Sequence, residues 1–298
     1  MTITFSILDC VPIHKGRCLL IVGAADDSLP EEMDSYLMSF SEDTGRKVQK
    51  LWFPALKAAY YNNEIFIIGE QGEVARCDID MSHEASEEII EGPENYGPLV
   101  SIQSTRKGVY AVGMARQVYA RDPSGEWSLI SKHIIDQGSP AQKLISLNSI
   151  TQLENESLYA VGLEGEIWHT QNMHWKQSQS PTNVDLTEIA KLPSGDAIIL
   201  GCSGVLLCGR DNIWEVIEHS STTEDLISTA TFRETSYIST ERQLFTLDMN
   251  KNLQEIATPK NNTSFLPYLK ACKDSLWIFG DRDVFWTSDL NTWHKADV

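Results

Sequence analysis

The chain has no apolar run approaching the roughly 18 residues that a membrane-spanning helix needs. Basic residues are scarce: 24 Lys and Arg stand against 42 Asp and Glu in 298 residues, a formal net charge of −18. That balance repels phosphate backbones and anionic lipid, which argues against nucleic acid or membrane as direct partners. Sequence signatures of common catalysts are missing too. There is no P-loop, no G-x-S-x-G, no H-E-x-x-H and no dinucleotide fingerprint, and Gly162 and Gly165 lack the spacing for one. Cys10, Cys18, Cys77, Cys202, Cys208 and Cys272 form no C-x-x-C pair and keep no regular spacing with histidine. They are expected to be reduced, four of them in or beside strands as small hydrophobes. The histidines are scattered, and His169 and His174 flank one predicted hairpin at a separation unlike that of a metal-ligand pair. No cofactor and no metal are expected.

Ahead of Leu19 there is no apolar core of signal-peptide length, and LLIVGAA is cut off by Asp26 and Asp27. The expected compartment is cytoplasmic, which makes the glycosylation-like triplets at Asn155, Asn261 and Asn262 incidental.

What the chain does contain is a phrase repeated seven times. A short apolar or β-branched run ends in glycine at Gly23, Gly69, Gly113, Gly162, Gly201 and Gly280, with Ser239 in the degraded sixth copy. Successive anchors lie 46, 44, 49, 39, 38 and 41 residues apart. Each run is too short for a helix and too continuous for a surface strand, so it reads as a strand buried on both faces. A second run follows, then a turn and an aromatic at Trp127, Trp175, Trp214 and Trp293, which lie 14, 13, 13 and 13 residues after their glycines. A period near 40 with strand-like content predicts one four-stranded sheet per repeat. The predicted fold is therefore all-β, a seven-bladed β-propeller with four antiparallel strands per blade.

The expected organisation is one domain over 1–298, with blades at about 9–53, 55–92, 99–134, 144–180, 186–220, 226–259 and 268–298. Residues 2–8, TITFSIL, read as an extra alternating strand predicted to pair with the last blade and latch the ring, since closure is how propellers avoid open edges.

The turns DPSGEW, ending at Trp127, and SDLNTW, ending at Trp293, resemble shortened Asp-box hairpins of sialidase-like propellers and of bacterial and plastid assembly-factor propellers. The resemblance extends to every blade in rhythm and to about two in motif. It implies the architecture and, for a sialidase-like site, an arginine cluster; the few arginines here do not recur at one blade position. The Gly-His and Trp-Asp pairs of Trp-Asp repeats and the double glycine of kelch blades are absent.

Charge points outward. In a blade running from the axis outward, the connections after the second and after the outer strand open on one face. The connection 24–34 carries Asp26, Asp27, Glu31, Glu32 and Asp34; other connections on that face add Glu70, Glu91, Glu94, Glu164, Asp281 and Asp283, together with Asp136, Asp185, Glu224 and Asp225. Bases among them are few, including Arg116, Lys143, Arg242 and Arg282. Such a field steers a basic partner. The composition fits a monomeric, non-catalytic binding propeller whose acidic face holds a basic protein; the most specific expectation is an immunity protein neutralising an antibacterial, nuclease-type toxin. Two alternatives remain: a scaffold for assembling a larger complex, and a glycan-acting or glycan-binding propeller with carboxylates on its axis.

Overall fold

The computed structural model describes residues 3–26, 29–42, 46–135, 145–172, 174–259 and 265–297. They form seven antiparallel sheets of four strands, each in simple up-and-down order. The innermost strands are Ile3–His14, Ala55–Tyr61, Leu99–Ser104, Leu147–Gln152, Leu186–Lys191, Ser228–Phe232 and Tyr268–Ala271. Each neighbours the next around the axis, and the seventh returns to the first. The sheets, numbered as blades one to seven, span 3–50, 55–89, 99–129, 147–177, 186–216, 228–256 and 268–295.

The repeated phrase is the second strand of each blade. Val109–Gly113, Leu158–Gly162 and Ala197–Gly201 are buried at every residue, because each lies between two strands of its own sheet and two flanking blades. In blades two to five the ladder between the inner and second strands slips by one residue beside the anchor, leaving Leu56, Val100, Asn148 and Thr187 bulged. In blades three to five the bulge brings a carbonyl against the glycine, and a Cβ on Gly162 would stand 1.9 Å from the carbonyl oxygen of Ser146; in blade two the Phe53 and Glu73 side chains crowd Gly69 instead. Blade six has no such slip. Ser239 fits there, and its hydroxyl donates to the Pro267 carbonyl at 2.5 Å.

Blades hold together through apolar seams. The aromatics that follow the anchors pack against the preceding blade, with Trp127, Trp175, Trp214 and Trp293 in the seams between blades two and three, three and four, four and five, and six and seven. The seam that closes the ring buries Trp277, Phe279 and Trp286 of blade seven against Ile7, Cys10, Leu20 and Phe40 of blade one.

The latch expected of residues 2–8 is corrected here. Residues 3–8 are the first half of blade one's own inner strand and pair with its second strand, Arg17–Asp26. Blade seven completes its four strands with His294–Lys295. Among the described residues, the backbone link across this seam is Ile7 N–H donating to Asp281 O at 2.7 Å. One such bond contributes about 1 kcal/mol net. Each buried tryptophan contributes more, in the range of about 1.5–3 kcal/mol estimated for large apolar side chains. Packing closes the ring.

The acid-rich segment 24–34 also differs from the expected loop. The second strand of blade one runs on to Asp26 and the third, Leu29–Ser41, begins three residues later, so the two form a long hairpin.

Candidate functional site

The connections after the second strands and after the outer strands meet on one face. Leu99 N–H bonds to Glu70 O at 2.9 Å, tying blade three to blade two, and Ile90 N–H bonds to Gly72 O at 2.7 Å within blade two. Asp185 and Asp225 perform the same task further round: their Oδ1 atoms accept the amides of Glu164 at 2.9 Å and Ser203 at 2.7 Å. Those amides belong to tight turns with two left-handed residues, Glu164–Gly165 and Ser203–Gly204, as hairpins of this kind require.

Glu70, Glu91 and Glu94 are exposed and gathered where blades two and three meet, with Glu94 Oε2 accepting Gly92 N–H at 3.1 Å. Glu164 is exposed between blades four and five, and Asp281 between blades seven and one. Asp283 is largely covered and paired with Lys295 at 2.6 Å. Asp34 lies on the third strand of blade one and pairs with Lys50 at 2.7 Å. Asp26 ends a strand and Glu31 and Glu32 sit within one; their side chains, like Asp27 as a whole, lie outside the described residues. The structure thus distributes the described acids around the ring, at every junction but that of blades three and four. Glu224, Asp225 and Glu241 extend the series; among the described residues the exposed bases beside it are Lys50, Lys132, Arg242, Arg282 and Lys295, and Asp136 and Lys143 lie outside the described residues.

Arg116 is not an exposed base. It occupies the second left-handed position of blade three's turn, φ 63°, where blades four and five have glycine. Its guanidinium is buried against Glu166 of blade four, and Trp168 Nε1 donates to the same carboxylate at 2.7 Å.

Sequence reasoning missed a ring of polar residues around the axis. An innermost strand has a free edge, so its amides need acceptors. Here the inner strand of one blade supplies them to the next. Asp9 Oδ2 accepts from Ala58 N–H, Gln103 Oε1 from Ile150, Ser149 Oγ from Ile189, Glu188 Oε2 from Thr229 and Ser228 Oγ from Leu269, at 2.6–3.2 Å. Polar residues interrupting otherwise apolar inner strands were the signal available in the sequence.

The axial carboxylates are thereby engaged. Asp9 is fully buried and lies 3.7 Å from Lys270 Nζ. Enclosure by protein pulls Lys270 down, but the charges of Asp9 and Glu188 outweigh it and hold the amine above its ordinary value. Burial pushes Glu188 up, against the opposing pull of Lys270. Lys57 Nζ sits 4.3 Å above the Tyr268 ring. The channel widens beside these residues to about 510 Å³ at one level and 320 Å³ at another. Among the described residues no cluster of three His, Cys, Asp or Glu is placed to hold a metal, and no helix is long and apolar enough to cross a membrane.

The chain is similar to the immune protein Tsi7 of Pseudomonas aeruginosa, 30% identical over 241 residues that cover 78% of this chain and 76% of Tsi7. The chain belongs to the Tsi7 family. No protein-family model matches it. Among solved structures it resembles YCF48 from Cyanidioschyzon merolae, TM-score 0.68 at 10% identity over 96% of this chain and 98% of that one. It also resembles YCF48 bound to a D1 peptide, TM-score 0.66 at 15% identity, covering 95% and 91%. The WD40 propeller domain of Doa1 has TM-score 0.66 at 11% identity, covering 96% and 97%. At these identities the structural likeness establishes the seven-bladed fold and nothing further.

Proposed function

We propose that the chain is a cytoplasmic, non-catalytic immunity protein that holds a basic toxin, of nuclease type, against its acidic face. The observation that carries this reading is the kinship with Tsi7 over 241 residues. The charge supports the partner's chemistry. A net −18, with exposed acids at most of the blade junctions, suits a protein that covers a basic nucleic-acid-binding cleft. The axial carboxylates favour the non-catalytic reading over a glycan-acting one, because Asp9 and Glu188 already serve backbone amides of the neighbouring blades. Six unpaired thiols suit a reducing compartment.

The test is protection together with capture. Expressed beside the toxin it recognises, the chain restores growth; used as bait in its native host, it retains one stoichiometric basic protein, less at moderately high salt than at low salt. Failure to protect against any captured protein, or retention of several subunits of one assembly, would overturn the reading in favour of a scaffold.

A further inference from the structure

Blade one is built differently from the other six. Its inner strand has 12 residues where those of blades two and seven have 7 and 4, and its third strand has 13. The ladder passes the anchor, where Gly23 pairs with Ser6, and continues through Phe5 with Ala24 to Ile3 with Asp26. Three further residues per strand raise this sheet roughly 10 Å beyond the level at which the other blades turn. It rises on the face that carries the exposed acids.

Directly opposed residues share a side of a sheet, so Phe5, Ala24 and Asp34 form one row and Ile7, Val22 and Tyr36 the next. Lower on this side, Ile7 and Val22 pack against blade seven; higher up, Phe5 and Asp34 are exposed. The result is a groove of about 560 Å³ floored by Phe5, Ile7, Val22, Ala24, Tyr36 and Met38, with Asp281 and Arg282 on its far rim. Phe5 is 56% exposed and Val48, at the groove's edge, 60%. The charges of the lining are matched locally, Arg282 with Asp281 at 3.6 Å and Arg46 with the Asp297 carbonyl, and at the groove's edge Asp34 pairs with Lys50 at 2.7 Å. The groove is an apolar notch set in an acidic face.

Resting on the immunity reading, we propose that this groove receives a large apolar or aromatic side chain of the toxin, and that the basic residues around that side chain meet the acids of the same face. A desolvated apolar centre inside a charged surround is the arrangement that concentrates binding energy, the charges governing encounter and the anchor governing release. Charge complementarity between a −18 chain and a basic partner selects the toxin over a second copy of this chain, which would bring like charge to the same face.

The experiment uses the full chain and the toxin co-purified with it. Phe5→Asp and Val48→Asp are compared with Phe5→Leu, and with Ile213→Asp on the outer strand of blade five, where Ile213 is 72% exposed; thermal melts confirm folding. The expected result is binding weakened at least tenfold by each groove aspartate, through faster dissociation, with Phe5→Leu and Ile213→Asp near wild type. Undiminished binding by both groove variants would overturn the groove proposal and leave the immunity reading standing. A wild-type chain that captures no toxin would overturn both. A wild-type dimer that Phe5→Asp converts to a monomer would assign the groove to a second copy and overturn the proposal.

Discussion

Arg116 and Glu166 form a two-point ion pair buried between blades three and four, with Nε to Oε2 at 2.7 Å and Nη2 to Oε1 at 2.5 Å. The pair fastens a turn of one blade to the third strand's approach in the next. Removing one partner leaves the other charged and buried, which costs about 3–5 kcal/mol. Arg116→Met should therefore lower the free energy of unfolding by about that amount in a denaturant titration, while Lys132→Ala at an exposed site changes it by about 0.5 kcal/mol or less. Equal effects would remove the pair from the account of stability.

The anchors make a paired prediction. Gly162→Ala forces a Cβ into the Ser146 carbonyl and should cost about 3 kcal/mol, as severe overpacking does. Ser239→Gly loses one hydrogen bond to Pro267 and should cost about 1 kcal/mol. Thermal melts of the two variants, side by side, check the order.

Stitching around the axis is testable at one atom. Ser149→Ala leaves the Ile189 amide without its acceptor, at a cost of about 1–3 kcal/mol. Hydrogen exchange at Ile189 should then quicken more than exchange at Ile199 in the adjacent second strand. Unchanged exchange at Ile189 would mean that water or a neighbour replaces the serine.

Aspartate-centred turns on the opposite face set an acid limit. Asp289 accepts the amides of Thr292 and Asn291, and these bonds lower its pKa from the ordinary 3.8 to about 2; Asp122 and Asp248 are lowered first by the Ser124 and Asn252 side chains and then by backbone amides, and Asp78 is lowered, against burial, by the amides of Ser82 and Asp80. A depressed carboxylate adds stability that is fully present above its unfolded value and is lost as pH falls through the folded one. Melting temperature should drop between about pH 4 and pH 2, and Asp289→Asn should lie below wild type at neutral pH and converge on it at about pH 2. Parallel curves would show that the turn does not depend on the ionised carboxylate.

Much of this was legible in the sequence because the anchor glycines answer a local demand that recurs: a bulge presses a carbonyl onto each of Gly113, Gly162 and Gly201, so the residue type repeats with the geometry. Ser239 breaks the repeat in blade six, whose ladder has no slip; blade seven has no slip either, but there the Phe265 carbonyl would lie 1.7 Å from a Cβ on Gly280 and keeps the glycine. Arg116 read as a surface base because its partner, Glu166, lies fifty residues on and meets it only across a blade seam. The segment 24–34 read as a loop because its acids disfavour strand; what makes it a hairpin is pairing within blade one. Exposed acids such as Glu70, Glu91 and Asp281 were visible as types, but their distribution around the ring is a property of the closed fold.

The most direct test is the salt dependence of binding between the chain and its captured toxin, measured for wild type and for a variant with Glu70, Glu91, Glu164 and Asp281 each changed to lysine. Affinity should fall steeply with salt in wild type, and the variant should bind more weakly with a shallower salt dependence, at unchanged melting temperature. Equal affinity and equal salt slopes for the two proteins would contradict the acidic-face reading.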